Sequence, residues 1–544
     1  MRTMSQAVLS LVFLVALVAP SLRAQDAADD GGAARVIVRF RTDSSLVRTK
    51  GLSPQGAVVA RTGALGARLG LPLRAGAVVS ELAQVVLATG VTSAELAERL
   101  AQDADVEYAV PDERRRIVGA PNDPLYAAGV GGRGPESGQW YLRAPSGDVQ
   151  SSLDIDAAWA VTTGNPGVVV AVVDTGVRYE HPDLLSVTAG GSLLLGYDMI
   201  AEPVSATDGD GRDADASDPG DWLTLAELSR PGSPLFRCTT SPSSSSWHGT
   251  QVSSLIAALT DNGIGMAGAA PGVRVLPVRV LGKCGGYDSD ILAGMRWAAG
   301  LSVPGAPANA HPARVINLSL GSEGTCSAAY QEAVDEIVAA GTVIVAAAGN
   351  SSGHAVGTPA NCRGVIAVAG LRHVGTKVGF SSLGSEVAIS APGGNCVNTG
   401  ANSACLFPIL AATDSGETVP VSSTYTDSYN YSVGTSFSTP LVAAVAALVL
   451  SVHPVMKPEE VTRLLQSTAR PFPAIGSIGG SSTVPECTLP QYSLRGTPVD
   501  QDECYCTTST CGAGMLDAGA ALGGSGSAAS RERPADRPGR KKGR

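Results

Sequence analysis

The chain has 544 residues, 44% of them hydrophobic, with a formal net charge of −10 and 4% aromatic residues against 65 glycines. That is enough apolar matter for a large core and one or two domains. The acidic balance excludes a bulk nucleic-acid-binding surface, and the scarcity of aromatics argues against base-stacking platforms.

The first residues read MRTMSQAVLSLVFLVALVAPSLRAQ, with Arg2 as a short positive region, residues 7–19 as an apolar run and Ala24 as a cleavage position. This pattern predicts a Sec-type signal peptide over 1–24 and a secreted, extracellular protein. The apolar run is shorter than the ~20 residues a spanning helix needs, so no stable membrane insertion is expected. Next, ARVIVRF (34–40) reads as a strand, SAELAERLAQ (93–102) as an amphipathic helix and VEYAVPDERRR (106–116) as a strand with a charged exit. Residues 25–119 therefore read as a small separate α+β domain without cysteine, and the two prolines of GAPNDPLY (119–126) mark its end.

From 120 to 522 the chain alternates. Buried-strand runs at 167–176, 273–281, 313–320, 341–350 and 364–370 are separated by helical stretches at 248–259, 288–299 and 327–340. Continuous apolar strands between helices predict an α/β fold: a mostly parallel sheet covered by helices on both faces. Chemistry in such sheets collects at the carboxyl ends of the strands. The run at 440–450 is too short to span a membrane and reads as a core helix. Residues 523–544 are Gly/Ser-rich and then basic, the composition of a disordered tail. All ten cysteines lie between Cys238 and Cys511, an even set that downstream of a secretory leader implies disulfides. Spacing does not fix their connectivity, since ten cysteines allow roughly 900 pairings.

Several strand runs end in reactive residues. Asp174 closes an apolar strand, where a carboxylate is costly unless it is paired, as when it orients an imidazole. His248 opens HGTQVSSLIAALT at a helix start, where taken alone it reads as a capping or surface histidine. Asn350 follows VIVAAAG; its amide serves an oxyanion or a turn. In YSVGTSFSTPLVAAVAALVL (431–450), Ser436 sits among hydroxyl residues and Pro440 at the mouth of an apolar helix. Such residues cap helices, and a hydroxyl among first-turn N–H groups is also well placed as a nucleophile.

Together VVDTGV, HGTQVS, AAAGN and GTSFSTP resemble the signatures of subtilisin-like serine peptidases, in the chain order Asp, His, Ser, over residues ~150–520. The resemblance implies a three-layer subtilisin-like fold, with Asp174 orienting, His248 as general base and acid, Ser436 as nucleophile and Asn350 as oxyanion donor. It further implies that residues 25–119 are an inhibitory propeptide and that the enzyme is a self-processed zymogen and a monomer acting on proteins and peptides. Ser319, Leu320 and Gly321 would edge the substrate cleft, with Gly357 near the base of a P1 pocket. No charge in these motifs demands a basic P1 residue, so large apolar side chains are expected there. The chain departs from the family pattern at Gln251, Ser253, Phe437 and Ser438, none of which does chemistry.

No organic cofactor is expected. The acidic segment 208–221 suggests a structural calcium site on Asp208, Asp210, Asp213 and Asp218, although it lacks the EF-hand pattern. TDNGIGMAG (260–268) resembles a second calcium loop of the family more weakly. Asp174-Thr175-Gly176 and Asp414-Ser415-Gly416 are also the triplets of pepsin-like aspartic peptidases, but Val177 and Glu417 follow where those carry Ser or Thr.

Overall fold

The computed structural model describes residues 33–47, 54–112, 120–127, 138–394, 407–426, 434–474 and 484–523. The expected leader (1–24) and the tail beyond Gly523 lie outside the described residues, as do Cys396 and Cys405. The chain divides into two compact units, Met1–Ile117 and Val118–Arg544.

The first unit is a four-stranded antiparallel sheet with two helices. In chain order these are β1 (Ala33–Phe40), α1 (Pro54–Leu69), β2 (Arg74–Val78), β3 (Ala83–Thr89), α2 (Ser93–Ala101) and β4 (Val106–Pro111), with sheet order β2-β3-β1-β4. Alternate residues of β1 (Val36, Val38 and Phe40) are buried with Leu65 of α1 and with Leu96 and Leu100 of α2. The period of two in the strand thus meets the helical period in one small core. Thr92 and Glu95 close a reciprocal capping box at the start of α2. Helix α1 escapes the sequence reading because Gly56, Gly63 and Gly66 dilute its signal.

The second unit is built on a seven-stranded sheet, all of whose pairings are parallel. Its strands are β5 (Val169–Asp174), β6 (Tyr197–Asp198), β7 (Arg274–Arg279), β8 (Val315–Leu318), β9 (Val343–Ala347), β10 (Val365–Leu371) and β11 (Val387–Pro392), in the order β11-β10-β9-β8-β5-β7-β6. The five runs expected to be strands are the central five. The edge strands β6 and β11 were not expected, being very short or built largely of small residues. Five longer helices complete the unit: α3 (His248–Ala257), α4 (Asp288–Ala298), α5 (Ala328–Ala339), α6 (Thr435–Val452) and α7 (Pro458–Thr468).

Successive residues of each strand face opposite layers. Val170 and Val172 of β5 pack with α3 and α6, whereas Val169, Ala171 and Val173 pack with α4 and α5. Both faces are therefore covered, which is why the strands read as unbroken apolar runs. Helix α6 is long and apolar enough to cross a membrane by composition, but 83% of it is buried inside the protein. Among the described residues, four disulfides join Cys238–Cys284, Cys326–Cys362, Cys487–Cys504 and Cys506–Cys511. A two-stranded antiparallel ribbon, β12 (Ala411–Asp414) and β13 (Ser423–Thr426), lies outside the main sheet.

Candidate active site

Asp174 is the last residue of β5, and His248 the first of α3. Their elements can close on each other because Gly249 has no side chain: a Cβ there would stand 2.1 Å from the Gly176 carbonyl. His248 Nδ1 lies 2.8 Å from Asp174 Oδ1 and 3.0 Å from Oδ2, and the carboxylate is fully buried. A carboxylate only accepts, so Nδ1 carries the proton and Nε2 is left with a lone pair. Burial by itself would lower the pKa of His248. The charge of Asp174, its hydrogen bond and the fields of Asp221 and Asp218 outweigh burial and hold the imidazole above the ordinary histidine value.

Asp218 therefore has another place than the one expected. Its carboxylate accepts from Thr175 Oγ1 at 2.7 Å and Gly220 N at 2.8 Å, while Thr175 Oγ1 accepts from Gly249 N at 3.0 Å. This chain of bonds ties the end of β5 to the start of α3. Burial, with Asp221 nearby, pushes the Asp218 carboxyl up to about 7. Asp221 in turn accepts from Ser246 N at 2.6 Å and Ser246 Oγ at 2.8 Å, just before the histidine. Gln251, one of the departures from the family pattern, is buried and donates to Ser246 O at 2.9 Å.

Ser436 stands in the first turn of α6. Pro440 is not a first-turn residue, as the sequence suggests, but lies inside the helix. Having no N–H, it leaves the Ser436 carbonyl without its helical donor, and Ser319 Oγ donates to that carbonyl at 2.7 Å. The Ser436 hydroxyl donates to Ser319 O at 3.0 Å, and among the described residues no hydrogen bond joins it to His248. The Phe437 ring meets the imidazole edge-on, with centroids 5.8 Å apart. Asn350 Oδ1 accepts from Thr435 N at 3.0 Å and Thr435 Oγ1 at 2.9 Å. This fixes the amide so that its NH2 end is the one free to donate.

The turn carrying Asn350 rests on a buried cation. Lys377 Nζ, fully enclosed, donates to the carbonyls of Val378, Gly379 and Ser381 at 3.1, 2.8 and 3.0 Å. The loop it gathers receives Ser352 N at Phe380 O and Gly353 N at Ser381 O, and Ser382 N donates back to Gly349 O. Burial pushes the Lys377 pKa down to about 7.

Ser319, Leu320, Gly321 and Gly357 line one cavity of about 360 Å³ together with Asn350, Thr435 and Ser436. These four residues thus line the same cavity as Ser436. A Cβ at Gly357 would lie 2.4 Å from Ser322 O, so the glycine lets two walls of the cavity approach. Glu323, which the sequence reading missed, also lines the cavity.

The four aspartates proposed for calcium do not form one ligand set, and that expectation is corrected. Asp208 bonds to Arg279 Nη1 at 2.6 Å, beside Asp198 on the same guanidinium. Asp210 is exposed, Asp213 accepts from Asp215 N at 2.8 Å, and Asp218 belongs to the network of Thr175. Among the described residues no three acidic side chains bring ligand oxygens within 4.8 Å of one another. Arg279 supplies a counter-charge to Asp208 and to the buried Asp198.

The loop 260–268 fits a hard cation better. Asp123 and Asp183, 2% and 0% exposed, meet at Asn262. The Asn262 backbone N–H donates to Asp123 at 3.3 Å, and its Nδ2 donates to Asp183 at 2.9 Å. Burial raises both carboxyl pKa values, and the charge of Asp183 adds to the rise of Asp123. Among the described residues, no Lys or Arg pairs with either. Two buried like charges supply hard oxygen ligands of the kind that calcium takes.

Asp414, of the second D-S-G triplet, accepts from Gly416 N at 2.8 Å and Val421 N at 2.7 Å and so closes a turn. The parallel α/β architecture likewise differs from that of the β-rich aspartic peptidases.

Comparison with known proteins agrees with this geometry. Residues 165–491 match the Subtilase family. The chain is 42% identical over 386 residues to an extracellular protease of Xanthomonas campestris, covering 71% of this chain and 59% of that one. It is 38% identical over 380 residues to an extracellular basic protease of Dichelobacter nodosus, covering 69% and 56%. It thus spans less than two thirds of the length of these two relatives. Among solved structures, a protease from Pseudoalteromonas arctica superposes with a TM-score of 0.58 at 39% identity, covering 74% of this chain and 99% of that one.

Proposed function

The chain belongs to the subtilase family, and from that membership we propose that it is a secreted serine endopeptidase acting on proteins and peptides. The observation that carries the reading is the buried Asp174–His248 pair at 2.8 Å, together with Ser436 and Asn350 on the wall of one cavity. For attack, the Ser436 hydroxyl turns from Ser319 O to His248 Nε2 and gives up its proton there as Oγ bonds to the scissile carbonyl carbon. The carbonyl oxygen takes the electron pair, and the Asn350 amide with the first-turn N–H groups of α6 stabilises it. His248 returns the proton to the leaving amine, and water then cleaves the acyl-enzyme by the same steps in reverse order. Large apolar P1 side chains fit the cavity beside Leu320, Ala347 and Ala348.

In this reading residues 25–119 are an inhibitory propeptide removed by the enzyme itself, and the mature protein acts as a monomer. A phosphonofluoridate should label Ser436 alone, read by peptide mass mapping. A preparation that hydrolyses peptides yet carries no adduct at Ser436 would sink the triad.

We place structural calcium, which the family suggests, at Asp123, Asp183 and Asn262. The ion would neutralise the two buried carboxylates and brace the 260–268 loop, with no part in catalysis. A ligand at a hundredfold excess over its Kd stabilises the folded state by about 2.7 kcal/mol. Chelation should therefore lower Tm by several degrees, and Asp183→Asn should abolish the difference between calcium and chelator. Identical melting curves for the parent protein in both conditions would remove this site.

A further inference from the structure

Among the described residues, the cavity beside the nucleophile carries one ionisable group. Of the fifteen described residues that line it, only Glu323 bears a charge; the rest are glycine, alanine, leucine, serine, threonine and Asn350. We infer that Glu323 makes this cavity accept a cationic P1 side chain, lysine or arginine, alongside the large apolar ones. The inference rests on the peptidase reading above and names a substrate class for the same site.

The carboxylate is available. Its hydrogen-bond partner is the Ser351 hydroxyl at 3.2 Å, and no Lys, Arg or His among the described residues pairs with it. Ser351 follows the oxyanion donor Asn350 directly, so the charge is tied to the turn that carries that donor.

The wall that holds Glu323 is also fixed. Ser322 N donates to Thr358 O at 3.0 Å, and Thr358 N donates to Ser322 O at 2.9 Å. On the other side of Glu323, Asn361 Nδ2 donates to Gly324 O at 2.7 Å. The Cys326–Cys362 disulfide then ties the two walls together beyond it. The glutamate backbone is thus anchored at both neighbours, which a solvated loop carrying a stray charge would not be.

A lysine or arginine side chain suits such a cavity by its two-part character. Its methylene stem lies along apolar wall, here Leu320, Ala347, Ala348 and Ala355, while its charged head reaches a polar rim. A phenylalanine can use the same apolar wall and leave Glu323 in water. A glutamate at P1 would bring a second negative charge to the rim. The expected order is therefore phenylalanine and lysine both cleaved, and glutamate rejected. Because Glu323 is exposed, its pull on a cation is partly screened, and added salt should weaken it.

The test uses three tetrapeptide p-nitroanilides that differ only at P1, as phenylalanine, lysine or glutamate, with the parent, Glu323→Gln and Glu323→Lys, each expressed as the full chain and matured by loss of residues 25–119. The ratio of kcat/KM for lysine over phenylalanine should fall about fivefold in Glu323→Gln and further in Glu323→Lys, whatever change the phenylalanine value itself shows. Salt at 0.5 M should lower the parent ratio and leave that of Glu323→Gln unmoved. Phenylalanine hydrolysis with a lysine-to-phenylalanine ratio indifferent to both substitutions overturns the role of Glu323. Absence of hydrolysis of all three peptides by the parent instead counts against the peptidase reading itself.

Discussion

Ser436→Ala is expected to lower kcat by about 10⁶-fold, because the nucleophile and its base act as one unit and neither retains much without the other. The substitution removes little else. Among the described residues the Ser436 hydroxyl makes one hydrogen bond, to Ser319 O, of a kind worth about 1 kcal/mol net. Alanine is a better helix former than serine, which offsets part of that at this first-turn position. The variant should therefore fold, show a Tm close to the parent, and accumulate as a precursor retaining residues 25–119. Steady-state hydrolysis of a peptide p-nitroanilide, intact mass and a melting curve read the three outcomes. Normal maturation of the purified alanine variant would exclude self-cleavage, and residual activity near one per cent would exclude Ser436 as nucleophile.

Asp174→Asn is expected to cost about 10⁴-fold in kcat while keeping the shape of the site. An amide can donate to Nδ1, which moves the imidazole proton to Nε2 and leaves no lone pair facing the serine. The pH profile supplies a second readout. Burial lowers the pKa of His248, but the Asp174 charge and its neighbours hold it above the ordinary histidine value. A raised pKa means that the base is freed only at higher pH, so the parent kcat/KM should climb through a midpoint above about 6.5. In Asp174→Asn the largest opposing charge is gone, while Asp218 and Asp221 remain, so the midpoint should move toward acid. An unmoved midpoint, or a loss below tenfold, would mean that Asp174 does not orient the base.

Much of this site was legible because its residues terminate elements that the sequence announces. Asp174 and Asn350 end or follow apolar runs, while His248 and Ser436 open helices, so the motif positions and the strand pattern pointed to the same carboxyl end of the sheet. What was not legible depends on pairings between distant segments. Asp208 reads as a metal ligand until β7 brings Arg279 to it. Asp218 reads as part of the same loop until Thr175 and Gly220 donate to it and Gly249 donates to Thr175. Glu323 enters the cavity only because Ser322 pairs with Thr358, and no local pattern reports that. Pro440 looked like an ordinary helix start, and its effect on the Ser436 carbonyl needed the position of Ser319 to be seen.

The wholly parallel sheet also governs how this molecule comes to exist. No two of its strands can join by a tight turn; β5 must wait for β7, which begins at Arg274, and β8, which begins at Val315. Closing such long loops costs entropy before any pairing rewards it, and chains rich in distant contacts fold slowly. The same distant pairings must be lost together for the sheet to come apart. Persistence of the folded unit is therefore a question of rate: a high barrier guards the state in both directions, and survival is measured as a half-life.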